Sequence, residues 1–150
     1  MQYTKRALLK GSFALMALAA LPARLLAAAW PEKAFSAPEM SAALTGLFGT
    51  DVLTASDQIT LKAPEIAENG AVVPVSIKTT LPNVESISIV VEKNPRPMVA
   101  TFEIPPGTLA DISSRIKMAE TSDVTAVIKT SDGLYSTARQ VKVTIGGCGG

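Results

Sequence analysis

The chain has 150 residues, a formal net charge of +1, a single cysteine and no histidine. This length suits one domain with its own core. Without histidine the chain cannot form a histidine-dependent catalytic triad, and most kinds of zinc and copper site are excluded.

The first 29 residues follow the order of a secretory signal peptide. An apolar run over residues 13–21 leads to small residues and to an A-x-A cleavage site before Trp30. The run is too short for a stable membrane span, so a membrane anchor is the weaker alternative. Three cations and no acid precede it, at Lys5, Arg6 and Lys10.

The segment from Thr4 to Lys10 resembles a twin-arginine export signal in which Lys5 replaces the first arginine. We therefore expect a periplasmic protein. Removal of residues 1–29 leaves 121 residues with 10 basic and 13 acidic side chains, a formal net charge of −3. Such a chain has no basic patch, so nucleic acid is not an expected partner.

The mature chain begins with a helical pattern from Pro31 to Phe48, in which apolar residues recur at three- and four-residue spacing. Ser36 is the expected N-cap, because Glu39 follows three residues later and completes a capping box. Pro38 then falls in the first turn of the helix, where proline is tolerated. Gly49 is the expected end of the helix.

Beyond the helix the chain changes to short β-branched segments, separated by Pro, Gly and Asn roughly every ten residues. Asp132-Gly133 lies between two of these segments and predicts a hairpin turn. The alternation within Val84–Val91 slips once, near Ser86. Seven short strands with few aromatic residues predict an all-β fold, an immunoglobulin-like antiparallel β-sandwich with an N-terminal helix. The predicted strands are Gln58–Lys62, Val72–Thr79, Val84–Glu92, Val99–Ile104, Asp111–Met118, Thr125–Lys129 and Tyr135–Ile145.

The only cysteine lies in the last five residues of the chain, which read GGCGG. Glycine offers no side chain around which a core could form, and chain ends are poorly ordered unless they are tied down. Packing therefore does not explain Cys148, and we expect a flexible arm with an exposed thiol directly after an anchored strand. The carrier domain is predicted over residues 30–145, and the arm consists of Gly146, Gly147, Cys148, Gly149 and Gly150.

The predicted arm is short and thin. Cys148 is three residues beyond Ile145, so its Cα lies at most about 10 Å from the end of the strand. Glycines keep the tether nearly as narrow as a bare backbone, which suits a narrow active-site channel. The arm carries no lysine, arginine or histidine that would activate the thiol, so activation must come from a partner's site.

A lone cysteine in an exported chain has no partner for an internal disulfide. It is free, joined to another chain or chemically modified. Because exposed thiols are reactive, we favour a functional thiol over an inert residue in a tail.

Two other groups of residues have a plainer explanation than function. Glu65 and Glu68 form a possible carboxylate pair, but both lie beside an expected turn, which favours a solvated position. Lys93, Asn94 and Arg96 form a small polar and basic cluster that would suit an anionic substrate or partner. A solvent-facing loop is the better interpretation of this cluster, because loops carry such residues without function.

The chain resembles the SoxY family of sulfur carriers, which belongs to the periplasmic thiosulfate-oxidising (Sox) system. The residues 141–145, with the sequence VKVTI, followed by GGCGG are similar to that family's C-terminal signature. The resemblance covers nearly all of the mature chain. Three internal stretches also carry it: Ala63–Val75, Glu92–Pro95 and Arg115–Ala119.

The resemblance implies a non-catalytic subunit that holds sulfur covalently on Cys148, as a thiosulfonate or a persulfide, with no permanently bound cofactor or metal. It implies a SoxAX-like c-type cytochrome that joins thiosulfate to the thiol and a SoxB-like manganese hydrolase that releases sulfate. It further implies a sulfane dehydrogenase for the remaining sulfur, and a stable heterodimer with a SoxZ-like subunit.

Two alternatives from other classes remain open. Ubiquitin-like sulfur carriers also end in two glycines, like Gly149-Gly150, and hold sulfur as a thiocarboxylate on the last one. Their activation uses ATP in the cytoplasm, which conflicts with the leader. The second alternative is a structural or adhesive β-sandwich in which Cys148 links two chains.

Overall fold

The structure, a computed structural model, describes residues 30–145. The predicted leader (1–29) and the predicted arm (146–150) lie outside this range. The chain divides after Trp30 into two units, and the fold below is that of the unit that begins at Pro31. The elements are α1 (Glu32–Ser36), α2 (Met40–Phe48), β1 (Thr54–Ala55), β2 (Ile59–Lys62), β3 (Ile66–Asn69), β4 (Val73–Thr79), β5 (Val84–Val91), β6 (Met98–Glu103), β7 (Asp111–Ile116), β8 (Ser122–Thr130) and β9 (Gly133–Ile145).

Two sheets form the domain. Strands β9, β8, β5 and β6 lie side by side and are antiparallel, while the short strands β1 and β3 both pair with β9 in parallel. The second sheet is antiparallel, with the order β2-β4-β7. The predicted all-β sandwich is confirmed and each of the seven predicted strands is present. The two strands beyond the prediction are β1 and β3, which are only two and four residues long.

The main core lies between the two sheets and consists of β-branched residues. β4 alternates strictly, so that Val73, Val75 and Ile77 are buried while most of the intervening side chains are exposed. On β5 the pairing with β8 shifts between Val84 and Ser86, which leaves an extra residue there. Such a bulge reverses the alternation once. It explains the predicted slip near Ser86, because both Val84 and Ile87 then pack in the core.

A second apolar cluster covers the opposite face of the larger sheet. Val90 on β5 and Val127 on β8 are completely buried there, although they point away from the other sheet. The helices provide the cover, with Leu44 of α2 only 2% exposed. The order of layers is therefore helices, larger sheet, smaller sheet. β5 is buried on both faces, which is why its sequence reads as an almost continuous apolar run.

The predicted N-terminal helix is present, but as two short helices instead of one, so the predicted capping box is wrong. Ser36 is the last residue of α1, and its hydroxyl donates to the carbonyl of Glu32 instead of capping a helix. Pro38 disfavours helical backbone at the preceding residue, and Ala37 is extended (φ −63°, ψ 136°). The prediction for Gly49 is confirmed: it caps α2 in the left-handed conformation, with φ 78°.

The two helices approach each other closely at Gly46. A Cβ atom at this position would lie 3.0 Å from the backbone nitrogen of Ala34, which is completely buried in α1. We expect Gly46→Val to destabilise the domain by about 1–3 kcal/mol, because backbone atoms cannot move aside as a flexible side chain can. Urea denaturation measures the change.

Thr45→Val is the matched control, because it adds the same β-branched residue at the neighbouring, exposed position of α2. Its free energy of unfolding should change by no more than about 0.5 kcal/mol. Equal stabilities of the two variants would show that the helices do not depend on this contact.

Candidate functional site

The predicted site residues, Gly146, Gly147, Cys148, Gly149 and Gly150, lie outside the described residues. The structure does describe the base from which they leave, which is the end of β9. β9 has 13 residues, and β8 begins at Ser122, which pairs with Val141. Residues 142–145, here called the overhang, therefore extend beyond the last residue of β9 that β8 pairs with.

One edge of the overhang is paired with β3. Ile66 lies opposite Lys142 and Ala67 opposite Val143 in a parallel register. The Lys142 N–H donates to the carbonyl of Glu65 at 2.9 Å. The Thr144 hydroxyl donates to the carbonyl of residue 68 at 2.9 Å, which adds a side-chain bond to the ladder. β3 thus takes the place that a longer neighbouring strand would fill.

The other edge of the overhang is held by a single side chain. The Val143 N–H donates to the hydroxyl of Thr121 at 2.9 Å, and that hydroxyl lies 3.5 Å from the Val143 carbonyl as a long donor contact. Backbone groups of successive strand residues point to opposite edges, so Lys142 faces β3 while Val143 faces Thr121. The Thr121 hydroxyl thus occupies the place of the backbone acceptor and donor that a longer β8 would have offered to Val143.

The turn after β3 closes the end of β9. The Gly70 N–H donates to the carbonyl of Ile145 at 2.8 Å, and the Gly70 carbonyl accepts from Met118 at 2.7 Å. The side chain of Asn69 accepts from the Ala71 N–H at 2.8 Å, which fixes the turn. Ile145 is thus bonded through its backbone, while its side chain is 69% exposed. The carrier domain is therefore hydrogen-bonded up to the residue that directly precedes the predicted arm.

At the same end of the sandwich, the side chain of Asn94 connects its own loop to the loop between β7 and β8. Asn94 is buried; its side-chain amide donates to the Lys117 carbonyl at 2.8 Å and accepts from the Ala119 N–H at 2.9 Å. The three residues of the predicted polar and basic cluster, Lys93, Asn94 and Arg96, therefore have different roles. Lys93 and Arg96 are exposed, as a solvent-facing loop requires, but for Asn94 that interpretation is wrong. Its partners are more than twenty residues away, so no local pattern indicated this role.

The two acidic candidates do not form a carboxylate pair. Glu68 lies on β3 and Glu65 directly precedes that strand. The side chain of Glu65 is 86% exposed and lies 3.7 Å from Arg139, a surface ion pair. Both positions are exposed, as the sequence predicted, with Glu68 on β3 and Glu65 in the bend before it.

The described residues contain no group of three histidine, cysteine, aspartate or glutamate side chains arranged to hold a metal ion. Between residues 30 and 145, no helix has the length and apolarity needed to cross a membrane.

Replacement of Asn94 tests how much its two side-chain hydrogen bonds stabilise the domain. Asn94→Ala leaves the Lys117 carbonyl and the Ala119 N–H without the side chain that pairs with both, so we expect a loss of about 2 kcal/mol in the free energy of unfolding. Asn94→Asp keeps the acceptor and should lose less.

Arg96→Ala, in the same loop but exposed, is the control and should change stability by at most about 0.5 kcal/mol. Thermal or urea denaturation of the three variants provides the measurement. If Asn94→Ala and Arg96→Ala had the same free energy of unfolding, the two hydrogen bonds of Asn94 would not stabilise the fold.

Comparisons with known proteins place the chain among relatives. A family model for the sulfur oxidation protein SoxY matches residues 44–148. The chain is similar to the sulfur carrier protein SoxY from Chlorobium limicola f thiosulfatophilum, with 43% identity and a TM-score of 0.63, over 69% of this chain and 94% of that one. A superoxide reductase (neelaredoxin) from Ignicoccus hospitalis is similar at 19% identity and a TM-score of 0.52, over 57% and 79%, which shows the fold alone. A comparison with curated protein sequences gave no match.

Proposed function

The chain belongs to the SoxY family of sulfur oxidation proteins, and we propose that the thiol of Cys148 is the atom on which it carries sulfur. Its role is that of a carrier in sulfur oxidation. One observation carries the proposal: the family match ends at residue 148, which is the only cysteine of the chain. No other thiol is available to hold sulfur covalently.

Loading forms one sulfur–sulfur bond. The Cys148 thiolate joins the outer sulfur of thiosulfate, and the pair gives up two electrons to an acceptor, which we assign to a SoxAX-like c-type cytochrome. The product is a thiosulfonate on the cysteine. Disulfide-type bonds form from thiolates, so the partner's site must deprotonate the thiol.

Release of sulfate is a hydrolysis. Water attacks the outer sulfonate sulfur, the sulfur–sulfur bond breaks, and sulfate and two protons leave while a persulfide stays on Cys148. The chain has no histidine to act as a general base for this step. We therefore assign the step to a SoxB-like manganese hydrolase, and oxidation of the remaining sulfur to a sulfane dehydrogenase.

We place this carrier in the periplasm, in a heterodimer with a SoxZ-like subunit. The signal-peptide pattern of residues 1–29 supports the location, and the resemblance to the family supports the partner. Sulfur adducts on Cys148 are the only groups that the chain is proposed to hold; it needs no resident cofactor to do so.

The geometry of the base supports delivery into enzymes. Ile145 is hydrogen-bonded to Gly70, so the chain is anchored up to a point three residues before the cysteine. The Cys148 Cα then has a reach of about 10 Å. Four glycines around it add no side chains, so an active-site channel needs to be little wider than a backbone.

The proposal is tested by identifying, with mass spectrometry, the residue to which sulfur is covalently attached. We expect the carrier, after incubation with thiosulfate and the complete enzyme set, to gain a mass that a reducing agent removes and that tryptic peptides assign to Cys148. Cys148→Ser should abolish the adduct and the carrier activity. Its free energy of unfolding should change by at most about 0.5 kcal/mol, because no core residue is altered.

Other outcomes would contradict the proposal. Sulfur on the terminal carboxylate of Gly150 would indicate the ubiquitin-like chemistry. A covalent dimer lost in Cys148→Ser, with no sulfur adduct in the wild type, would indicate a linking cysteine. A large loss of stability in Cys148→Ser would mean that the thiol is packed.

The glycines of the arm provide a separate prediction. Replacing Gly147 and Gly149 together by valine adds β-branched bulk and restricts the backbone. We expect the rate of sulfate release by the partner hydrolase to fall at least tenfold, while the rate of Cys148 alkylation by a small reagent stays within twofold. Equal losses in both rates would mean that the glycines tune the thiol instead of its delivery.

A further inference from the structure

We propose that a clamp on the overhang fixes the point at which the arm leaves the domain, and that Thr121 is a positioning residue for delivery of the thiol. The clamp consists of the Thr121 hydroxyl on one edge and of β3 with Gly70 on the other. This inference rests on the proposed function of Cys148 and concerns the base of the arm instead of its chemistry.

The need for a clamp follows from the lengths of the strands. β8 begins opposite Val141, so residues 142–145 would have a free edge on that side without Thr121. Strand ends with unpaired edges open readily, since little is lost when they do. The overhang gains little from packing, because only Val143 within it joins the core and the other three side chains are exposed. Hydrogen bonds from the backbone and from two threonine hydroxyls therefore hold it.

Opening of the overhang would change the tether in two ways. Measured from Val141, the tether to Cys148 has seven residues and a reach of about 24 Å, compared with about 10 Å from Ile145. The longer tether would also include the side chains of the whole overhang, which are wider than a channel fitted to glycine accepts: Lys142, Val143, Thr144 and Ile145. The effective concentration of a tethered group falls steeply with length, so the thiol would be presented less often.

Thr121 has the chemistry that the position requires. The Val143 amide needs an acceptor and the Val143 carbonyl needs a donor, and a hydroxyl is both. The residue immediately precedes β8, so the side chain provides what the strand does not reach. Serine would retain the hydroxyl, while valine has the same shape without it.

The test compares Thr121→Val with Thr121→Ser in the full mature chain. We expect Thr121→Val to lose at least tenfold in amide hydrogen-exchange protection at Val143, with protection in the core of β8, at Ile128, unchanged. Thr121→Ser should retain protection at Val143. A second variant, Thr144→Val, removes the side-chain bond to β3 from the opposite edge and should loosen the same residues.

The kinetic measurement separates positioning from structure. Each variant is loaded with thiosulfate by the SoxAX-like enzyme, and sulfate release by the SoxB-like hydrolase is measured against carrier concentration. We expect Thr121→Val to raise the KM for the carrier about threefold or more with kcat unchanged, because the bound complex is the same once the arm is seated. Thr121→Ser should restore the wild-type KM.

Two results would overturn the inference. Loss of protection at Val143 with an unchanged KM would make Thr121 a structural residue only. Unchanged protection in both Thr121→Val and Thr144→Val would show that no clamp exists. Both results can be obtained whichever residue holds the sulfur. A sulfur adduct on the Cys148→Ser variant, in contrast, would overturn the proposed function without affecting the hydrogen-exchange results.

Discussion

The hydrogen-bonded edges of β9 are the constraint on which both the fold and the site depend. Along one edge β9 pairs with β8 from Gly133 to Val141, and two short parallel strands, β1 and β3, pair with it near its two ends. A strand that carries a tether at its end has to resist opening at that end. The chain achieves this with β3, a turn at Gly70 and one threonine hydroxyl.

The rigidity of β9 comes in turn from the layers beneath it. β8 and β5, the next strands of the sheet, are buried on both faces, by the smaller sheet on one side and by the helices on the other. Burial of this kind makes a sheet stiff, because its side chains are held in close-packed surroundings on both sides. The proposed function makes two separate demands: the base has to keep its shape, and the proposed arm has to enter other proteins.

The division of labour also explains what the sequence lacks. A carrier needs one reactive atom and a way to present it, and this chain has one thiol and no histidine. Under the proposed function, activating groups beside the thiol would widen the tether and expose a reactive thiolate in the proposed oxidising compartment. In the proposed scheme partners supply the acid–base and redox chemistry, so that the same arm can serve several enzymes in turn.

The sequence by itself determined whatever depends on local patterns. Alternation located seven strands, the glycine at position 49 marked a helix end, and the terminal GGCGG identified Cys148 and the family. Pro38 is also a local signal, since proline restricts the residue before it; the capping pattern at Ser36 predicts the opposite, and the backbone follows the proline. The candidate site was thus predicted as a residue, without its surroundings.

Only the tertiary structure decided how the arm's base is built. β3 has no alternating pattern, and Ile66 finds its partner Lys142 far along the chain, so no window of sequence contains the pair. The bonds made by Asn94 and Thr121 join a side chain to a backbone more than twenty residues away. Such bonds have no periodicity and no characteristic composition. They exist because the fold brings an unpaired backbone group next to a side chain that can satisfy it.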